Sequence, residues 1–247
     1  MNEASRYRMN PKSVMIESLW YFLGGAIALF IAVQYGIPYL HQSYGVAPLI
    51  GWWLASGIIV FALFVGALLA ARYRTNATSI RETLLVLNIR TVTKTDTAWA
   101  FGGLLGVVLL TGIVVITFDK LFSLNLLSQD SYTSFLRMEK LRPDRYWLFL
   151  AWLPYFIFNI VGEELMWRGY LLPRQSAALG RNAWVLNGFL WAIFHVGIGW
   201  RIAIVLLPIE FVVPYVVQKR QNTWLGIVIH GLYNGSGFVM VALGVVA

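Results

Sequence analysis

The fold is decided by residues 146–172, which read YWLFLAWLPYFIFNIVGEELMWRGYLL. The run is long enough to cross a bilayer, because a transmembrane helix needs about 20 apolar residues. Three charged residues, Glu163, Glu164 and Arg168, interrupt it. A charge at the centre of a bilayer costs roughly 2.5–3.5 kcal/mol on the insertion scale, so such residues are rare there and usually functional. The stretch therefore predicts a membrane helix that carries chemistry.

The rest of the chain also has the composition of a membrane protein. Of its 247 residues, 59% are apolar and 12% are charged, whereas charged residues make up about a quarter of a soluble domain. We expect one all-α domain over residues 1–247, a polytopic membrane helical bundle of about seven transmembrane helices. The apolar runs place these helices near 18–40, 48–71, 97–118, 146–172, 184–199, 202–217 and 223–245. The fifth and sixth runs nearly meet and could form one broken element, so six to eight helices are possible.

The positive charge of the chain is arranged for a membrane. The net charge is +8, and the basic residues lie between the apolar runs, which fits membrane topology and anionic lipid headgroups rather than nucleic acid. With the N-terminus inside and alternating loops, twelve Lys and Arg residues, Arg6 and Arg8 among them, fall inside and six, Arg137 among them, fall outside. This asymmetry predicts a cytoplasmic N-terminus.

A short interfacial helix is predicted between the second and third spans. Ser79 followed three residues later by Glu82 has the spacing of a capping box, and an apolar stretch flanked by basic residues follows. Such a helix is expected along the inner interface, although an ordinary loop helix fits equally well. The chain has no cysteine, which excludes disulfides and cysteine-ligated metal sites.

Ionisable residues enter the central parts of the spans only in the C-terminal half. They are Glu163, Glu164, Arg168, His195, Glu210 and His230. Glu164 and Arg168 are four residues apart and can pair on one helix face. Glu163 points about 100° away from Glu164, which would leave it free to face a cavity. The alternative is a buried ion network with a purely structural role.

Two further helices carry histidines in positions that suit catalysis. His195 follows Trp191 by one turn, and His230 and Asn234 are one turn apart, so each pair projects to one side of its helix. A His–Asn pair can stabilise an oxyanion or simply join helices. A carboxylate with a histidine can activate water. Together these residues are the parts needed for water-mediated hydrolysis of an amide, and no serine or cysteine nucleophile is evident.

Three motifs in order resemble those of the CAAX-protease and bacteriocin-processing family of intramembrane proteases, to which the Ras-converting CAAX endopeptidase is related. Residues Glu163–Arg168 match EExxxR, Trp191–His195 resemble an aromatic residue four before a histidine, and His230–Asn234 resemble HxxxN. The motifs cover roughly residues 160–235, within predicted catalytic helices at 146–240.

The resemblance implies an intramembrane endopeptidase. Its substrate would be a membrane-associated or lipidated peptide or protein precursor, as in CAAX processing, bacteriocin or peptide-signal maturation, or immunity. Family members are glutamate-dependent and need no metal or other cofactor; a zinc site is also disfavoured because HExxH is absent. Glu164 stays open as an alternative base. The implied residues are the base Glu163 with His195, the oxyanion donors His230 and Asn234, and the supporting pair Glu164 and Arg168.

One residue departs from the motifs of the family, and another lies outside them. The second motif of the family usually begins with Phe, and Trp191 in its place is expected to alter pocket shape rather than chemistry. Glu210 lies between Pro208 and Pro214 and is expected either to line the substrate path, as Trp191 could, or to bond backbone groups freed by the prolines.

Two other classes of function are open. One is a non-catalytic membrane partner, such as an immunity protein that binds a peptide or a receptor complex. The other is a proton-coupled transporter, since carboxylates and histidines also form proton relays.

The compact chain looks most like the bacterial branch of the family, in a bacterial cell membrane.

Overall fold

A computed structural model gives the structure of the chain and describes residues 10–126 and 140–244. Every regular element in these two ranges is helical, as predicted. A π-helical segment, Ala32–Gly36, joins the first two helices, and a second, Leu165–Leu171, joins the sixth and seventh. The helices are α1 Pro11–Ile31, α2 Ile37–Tyr44, α3 Pro48–Thr75, α4 Ile80–Val86, α5 Lys94–Phe122, α6 Leu148–Glu164, α7 Leu172–Leu179, α8 Ala183–Val196, α9 Trp200–Arg220 and α10 Thr223–Leu243.

Six helical runs within the described residues are long and apolar enough to cross a membrane. One of them, Leu148–Val196, holds both the fourth and the fifth predicted helices. The chain reverses inside this run near Gly180, whose φ of +74° favours glycine. As a result α8 runs back along α6 and its π-helical extension, and Trp191 contacts Glu163. The chain therefore makes about seven passes, in agreement with the prediction, and is an integral membrane protein.

The fifth and sixth predicted helices are two elements and not one broken helix. α8 and α9 are joined by a turn at residues 197–199 and lie antiparallel, since Gly188 packs against the backbone of Glu210 while the backbone N–H of Trp184 donates to Gln218. A side chain at Gly188 would collide with that backbone. The missing side chain thus brings the two helices close together, as small residues do in membrane proteins.

The short helix α4 forms where it was predicted, with a different cap. Ser79 Oγ accepts from the Glu82 N–H at 3.2 Å, but the Glu82 carboxylate accepts from the backbone N–H and the hydroxyl of Thr78, at 2.8 and 3.1 Å. These bonds stabilise the ionised carboxylate and lower the pKa of Glu82. The box predicted at Ser79 is therefore incomplete, and the complete capping box is that of Thr93 and Asp96.

The residue after α4 anchors this helix against the start of α10. Leu87 is fully buried, and its carbonyl accepts from the hydroxyl of Thr223 at 2.7 Å. The same backbone lies so close to Gly169 that a Cβ there would come within 2.9 Å of the Leu87 carbonyl oxygen. The absence of a side chain at Gly169 thus allows the two backbones to approach closely.

Basic residues are concentrated at one end of the bundle. One end of the bundle is where α1, α5, α8 and α10 begin and where α3, α7 and α9 end. Ten of the described Lys and Arg side chains lie at this end, and five lie at the opposite end. Arg6, Arg8 and Arg137, which also entered the charge comparison, lie outside the described residues. We call the first end the basic end.

Close aromatic and glycine packing holds α6 and its π-helical extension against the neighbouring helices. The Trp167 ring stacks on Phe22 at 4.1 Å between centroids and meets Phe194 edge-on at 5.5 Å, and all three side chains are buried. Gly162 lies against the backbone of Val60, where a side chain would not fit. Since lipid is as apolar as these side chains, the helices are held by such close contacts rather than by exclusion of water.

Buried polar side chains add direct bonds between helices. Asn187 on α8 donates to the Trp167 carbonyl at 3.0 Å and to the Gln175 side chain at 2.9 Å, and Gln175 donates to Ser18 at 3.0 Å. This chain of amides joins α1, α7 and α8. It fixes α8 against the helical segment that carries the two glutamates.

Candidate active site

The two adjacent glutamates lie at the end of α6, immediately before the π-helical segment, and are almost completely buried. The carboxylate of Glu163 accepts two short hydrogen bonds, one from Asn159 Nδ2 at 2.7 Å and one from Trp191 Nε1 at 2.7 Å. Both donors are neutral. Glu163 makes no ion pair with any described residue. Its carboxylate is therefore held in position by neutral donors and not by an ion pair.

Glu164 has the opposite environment. One of its oxygens, Oε1, accepts from Arg168 Nη1 at 3.2 Å and lies 3.0 Å from His230 Nδ1. The pairing of Glu164 with Arg168, predicted from their spacing, is present, and both side chains are fully buried. The two neighbouring carboxylates thus differ sharply, since one is paired with a cation and the other is held by neutral donors.

Arg168 joins the first two motifs. Its guanidinium carbon lies 3.5 Å from the centre of the Trp191 ring, the geometry of a cation–π contact. Trp191 therefore contacts Arg168 with its face and Glu163 with its N–H. Phe, which usually begins this motif, has no N–H and could not make the bond to Glu163.

His230 and Asn234 lie on one side of α10, as their spacing predicted. Asn234 Nδ2 is 2.9 Å from His230 Nε2, and His230 Nδ1 lies against Glu164. With Nδ1–H donating to the carboxylate, Nε2 is the acceptor for the Asn234 amide. The second amide hydrogen of Asn234 then remains for a substrate oxygen. The pair thus offers one donor in this arrangement, instead of the two expected from the sequence.

His195 has a partner that the sequence did not indicate. Its Nδ1 lies 2.9 Å from Glu210 Oε1, and the Glu210 side chain is fully buried on α9. Neither of the two roles expected for Glu210, lining the substrate path or bonding free backbone groups, includes this bond. Since Glu210 occupies Nδ1, only Nε2 of His195 is left for water or substrate. Glu210 and Trp191 are both 0% exposed. Each is a buried partner of a motif residue, Glu210 of His195 and Trp191 of Glu163.

Asn159 and Glu210 are the site residues whose contacts sequence reasoning missed. Asn159 precedes Glu163 by four residues, and a polar residue at that spacing in an apolar helix is a usable signal. Glu210 offers no comparable signal, because its contact with His195 depends on the hairpin of α8 and α9.

The π-helical segment follows directly after the glutamates. Pro173, near the start of α7, has no N–H to donate to the preceding turn. Single π-helical turns occur frequently at functional sites. Here the segment carries Arg168, which pairs back to Glu164 across one turn.

Four buried polar atoms at the centre of the site have no hydrogen-bond partner among the described residues. They belong to three side chains: Glu164 Oε2, Arg168 Nε and Nη2, and Glu210 Oε2. Buried polar atoms usually bond to protein or to ordered water. Among the described residues, no three His, Asp or Glu side chains are grouped so that they could hold a metal ion.

Fold and site together define an integral membrane protein with a buried centre of carboxylates and histidines. Residues 145–236 match the family described as type II CAAX prenyl endopeptidase Rce1-like, and all three motifs lie inside that range. This match over residues 145–236 confirms the resemblance drawn from the motifs. Comparison with curated proteins gave no match, and neither did comparison with solved structures.

Proposed function

We propose that this protein is a glutamate-dependent intramembrane endopeptidase, which hydrolyses a peptide bond in a membrane-associated, lipidated peptide or protein precursor. The difference between the two carboxylates carries the proposal. Glu164 is paired with Arg168, whereas Glu163 is held by the neutral donors Asn159 and Trp191. A fixed carboxylate that makes no direct ion pair suits a general base, so we assign that role to Glu163 rather than Glu164.

In the proposed reaction the oxygen of a water molecule bonds to the substrate carbonyl carbon while Glu163 accepts one of its protons. His195 orients this water through Nε2, because its Nδ1 is fixed by Glu210. The carbonyl oxygen becomes an oxyanion and accepts a hydrogen bond from Asn234. When the tetrahedral intermediate collapses, the carbon–nitrogen bond breaks and the leaving nitrogen takes the proton from Glu163.

His230 acts through its neighbours in this scheme. It lies between the Glu164 carboxylate and the Asn234 amide, at 3.0 and 2.9 Å. A bond at each ring nitrogen fixes the imidazole and with it the direction of the Asn234 amide. Glu164 and Arg168 support the reaction in turn by holding His230 and Trp191 in place.

We also propose that the reaction needs no metal ion. His195 and His230 each place a ring nitrogen against a carboxylate, and these carboxylates come from different helices. The donors are thus distributed as two separate pairs instead of converging on one point. Zinc sites need three or four converging ligands.

The position of the site favours cleavage near the cytoplasmic surface. His230 lies seven residues after the start of α10 at the basic end, which is about 10 Å along a helix axis. Basic loops face the cytoplasm by the positive-inside rule, so we propose that the basic end and the N-terminus are cytoplasmic. A lipidated precursor presents its processing site close to that surface, and the family description names prenyl endopeptidases.

The proposal is tested with purified protein in liposomes and a farnesylated CAAX-type peptide that fluoresces on cleavage. Glu163→Gln keeps the shape of the side chain but removes the base, so the cleavage rate should fall by about 10²–10⁴-fold. Glu82→Gln is the matched control, because this carboxylate is exposed on α4, and it should cleave at the wild-type rate. Cleavage by Glu163→Gln at the wild-type rate contradicts the assigned base. Equal cleavage of an unprenylated peptide contradicts the lipidated substrate class.

A further inference from the structure

A cavity opens between α1, α3 and α7 at the basic end of the bundle. Its volume is about 530 Å³, within the range of cavities that hold small ligands. Apolar side chains form its inner wall, among them Val14 and Ala71, which are buried, and Val86. The rim is polar and includes Arg74 and Arg174. The cavity is therefore amphipathic, with its basic part at the end of the spans.

The charge of this rim is unbalanced. Glu17 accepts from Arg74 at 2.8 Å, from Arg174 at 2.7 and 3.0 Å, and from the Tyr170 hydroxyl at 2.7 Å. One carboxylate thus faces two guanidinium groups, which leaves a net charge of about +1. Each guanidinium has five N–H donors, and the bonds to Glu17 use one of those of Arg74 and two of those of Arg174. Further donors can bind an anion.

Arg74 is much more exposed to solvent than Arg174. The Arg74 side chain is 54% exposed, whereas Arg174 and Glu17 are 13% and 11% exposed. Arg174 and Glu17 therefore form a fixed base for the site, and Arg74 can turn toward an incoming group.

We propose that this cavity binds the phosphate headgroup of an anionic phospholipid, with the phosphate against Arg74 and Arg174 and the start of an acyl chain along the apolar wall. Basic pockets between membrane helices on the cytoplasmic side recognise such headgroups. A free phosphate would use only the rim, whereas a phospholipid uses both the rim and the wall.

The lipid would contact the π-helical segment that carries Arg168. Gly169 and Tyr170 line the cavity, and they follow Arg168 directly in the π-helical segment. Tyr170 also ties this segment to Glu17 on α1. A bound lipid should therefore stabilise the packing of the segment against α1.

The test is native mass spectrometry of delipidated protein in neutral detergent, with phosphatidylglycerol and phosphatidylcholine of identical acyl chains. The wild type should retain phosphatidylglycerol more tightly. Arg74→Gln should weaken that binding about fivefold, because one basic residue near an anionic headgroup contributes on the order of 1 kcal/mol. Arg81→Gln is the matched control, since it removes the same charge from an exposed position at the basic end, and it should bind as the wild type does.

A second variant separates binding from folding. Glu17→Gln removes the internal acceptor of both arginines, so phosphatidylglycerol should bind more tightly, whereas a misfolded protein would bind it more weakly. Equal retention of the two lipids, or unchanged binding by Arg74→Gln, overturns the proposal. Glycerol phosphate is the competitor: if it binds as tightly as phosphatidylglycerol, the cavity is a site for free phosphate esters and the lipid assignment is wrong.

Discussion

The contact between α6 and α10 is tested most cleanly by Gly226→Ala. Gly226 lies on α10 against Glu164, and a Cβ built at this glycine would collide with Glu164 Oε2. Overpacking of this kind costs about 1–3 kcal/mol. If the Glu164 carboxylate is instead forced away from Arg168, the loss rises toward the 3–5 kcal/mol that accompanies a broken buried ion pair.

Gly231→Ala on the same helix is the matched control. The nearest atoms to a Cβ there are Ile160 Cγ2 at 3.7 Å and Phe156 Cζ at 3.9 Å, which are ordinary contact distances. Both substitutions gain about 1 kcal/mol of helix propensity, so the difference between them isolates the collision with Glu164.

The assay is equilibrium unfolding of the two purified variants in mixed micelles. Gly231→Ala should be as stable as the wild type or slightly more stable. Gly226→Ala should be less stable than Gly231→Ala by at least about 1–3 kcal/mol. Equal stability of the two variants would show that Glu164 does not lie against α10, and the assigned contact between Glu164 and His230 would then be wrong.

Three further predictions follow from the same contacts. Glu210→Gln keeps a hydrogen-bond acceptor for His195 but loses the charge, and it should lower kcat about tenfold, whereas Glu210→Ala should lower kcat about a hundredfold. KM should stay unchanged in both variants because Glu210 is buried. Equal kcat for both variants and the wild type would contradict the role of Glu210 in positioning His195. Chelation by EDTA or 1,10-phenanthroline should leave cleavage unchanged, and a loss that added zinc restores would contradict metal-free hydrolysis. The chain has no cysteine, so Asp144→Cys and Arg81→Cys can be labelled without background: an impermeant maleimide on intact cells should label Asp144→Cys alone, and the reverse result would invert the topology.

Much of the fold follows from the sequence because spans in lipid obey simple rules. A run of about 20 apolar residues has to be helical, since lipid offers no partner for backbone polar groups. The predicted helices at 48–71 and 223–245 are therefore found as Pro48–Thr75 and Thr223–Leu243. The ends differ by several residues, because caps such as Thr93–Asp96 extend a helix beyond its apolar run.

Pairs within one helix were also predictable, whereas contacts between helices were not. Glu164–Arg168 and His230–Asn234 are four residues apart, and helical geometry alone places them together. The bond between Glu210 and His195, and that between Trp191 and Glu163, join residues that are 15 and 28 positions apart. They depend on which faces of the hairpins meet, and glycine contacts such as Gly188 against the Glu210 backbone decide that.

The π-helical segment could not have been predicted from periodicity. The apolar pattern of residues 165–171 fits an α-helix equally well. The segment includes Gly169, whose close approach to Leu87 is a tertiary contact that the sequence does not indicate.

The central claim, that Glu163 carries out proteolysis, is tested most directly by peptidomics of membrane and secreted fractions from the native host. The comparison includes the wild type, a deletion strain, and the deletion complemented with Glu163→Gln at matched protein level. The account predicts that one uncleaved precursor accumulates both in the deletion and in the Glu163→Gln strain, which would identify the substrate and its cleavage site. If Glu163→Gln restores the wild-type peptide pattern, the glutamate is not the catalytic base and the protein acts as a non-catalytic membrane partner.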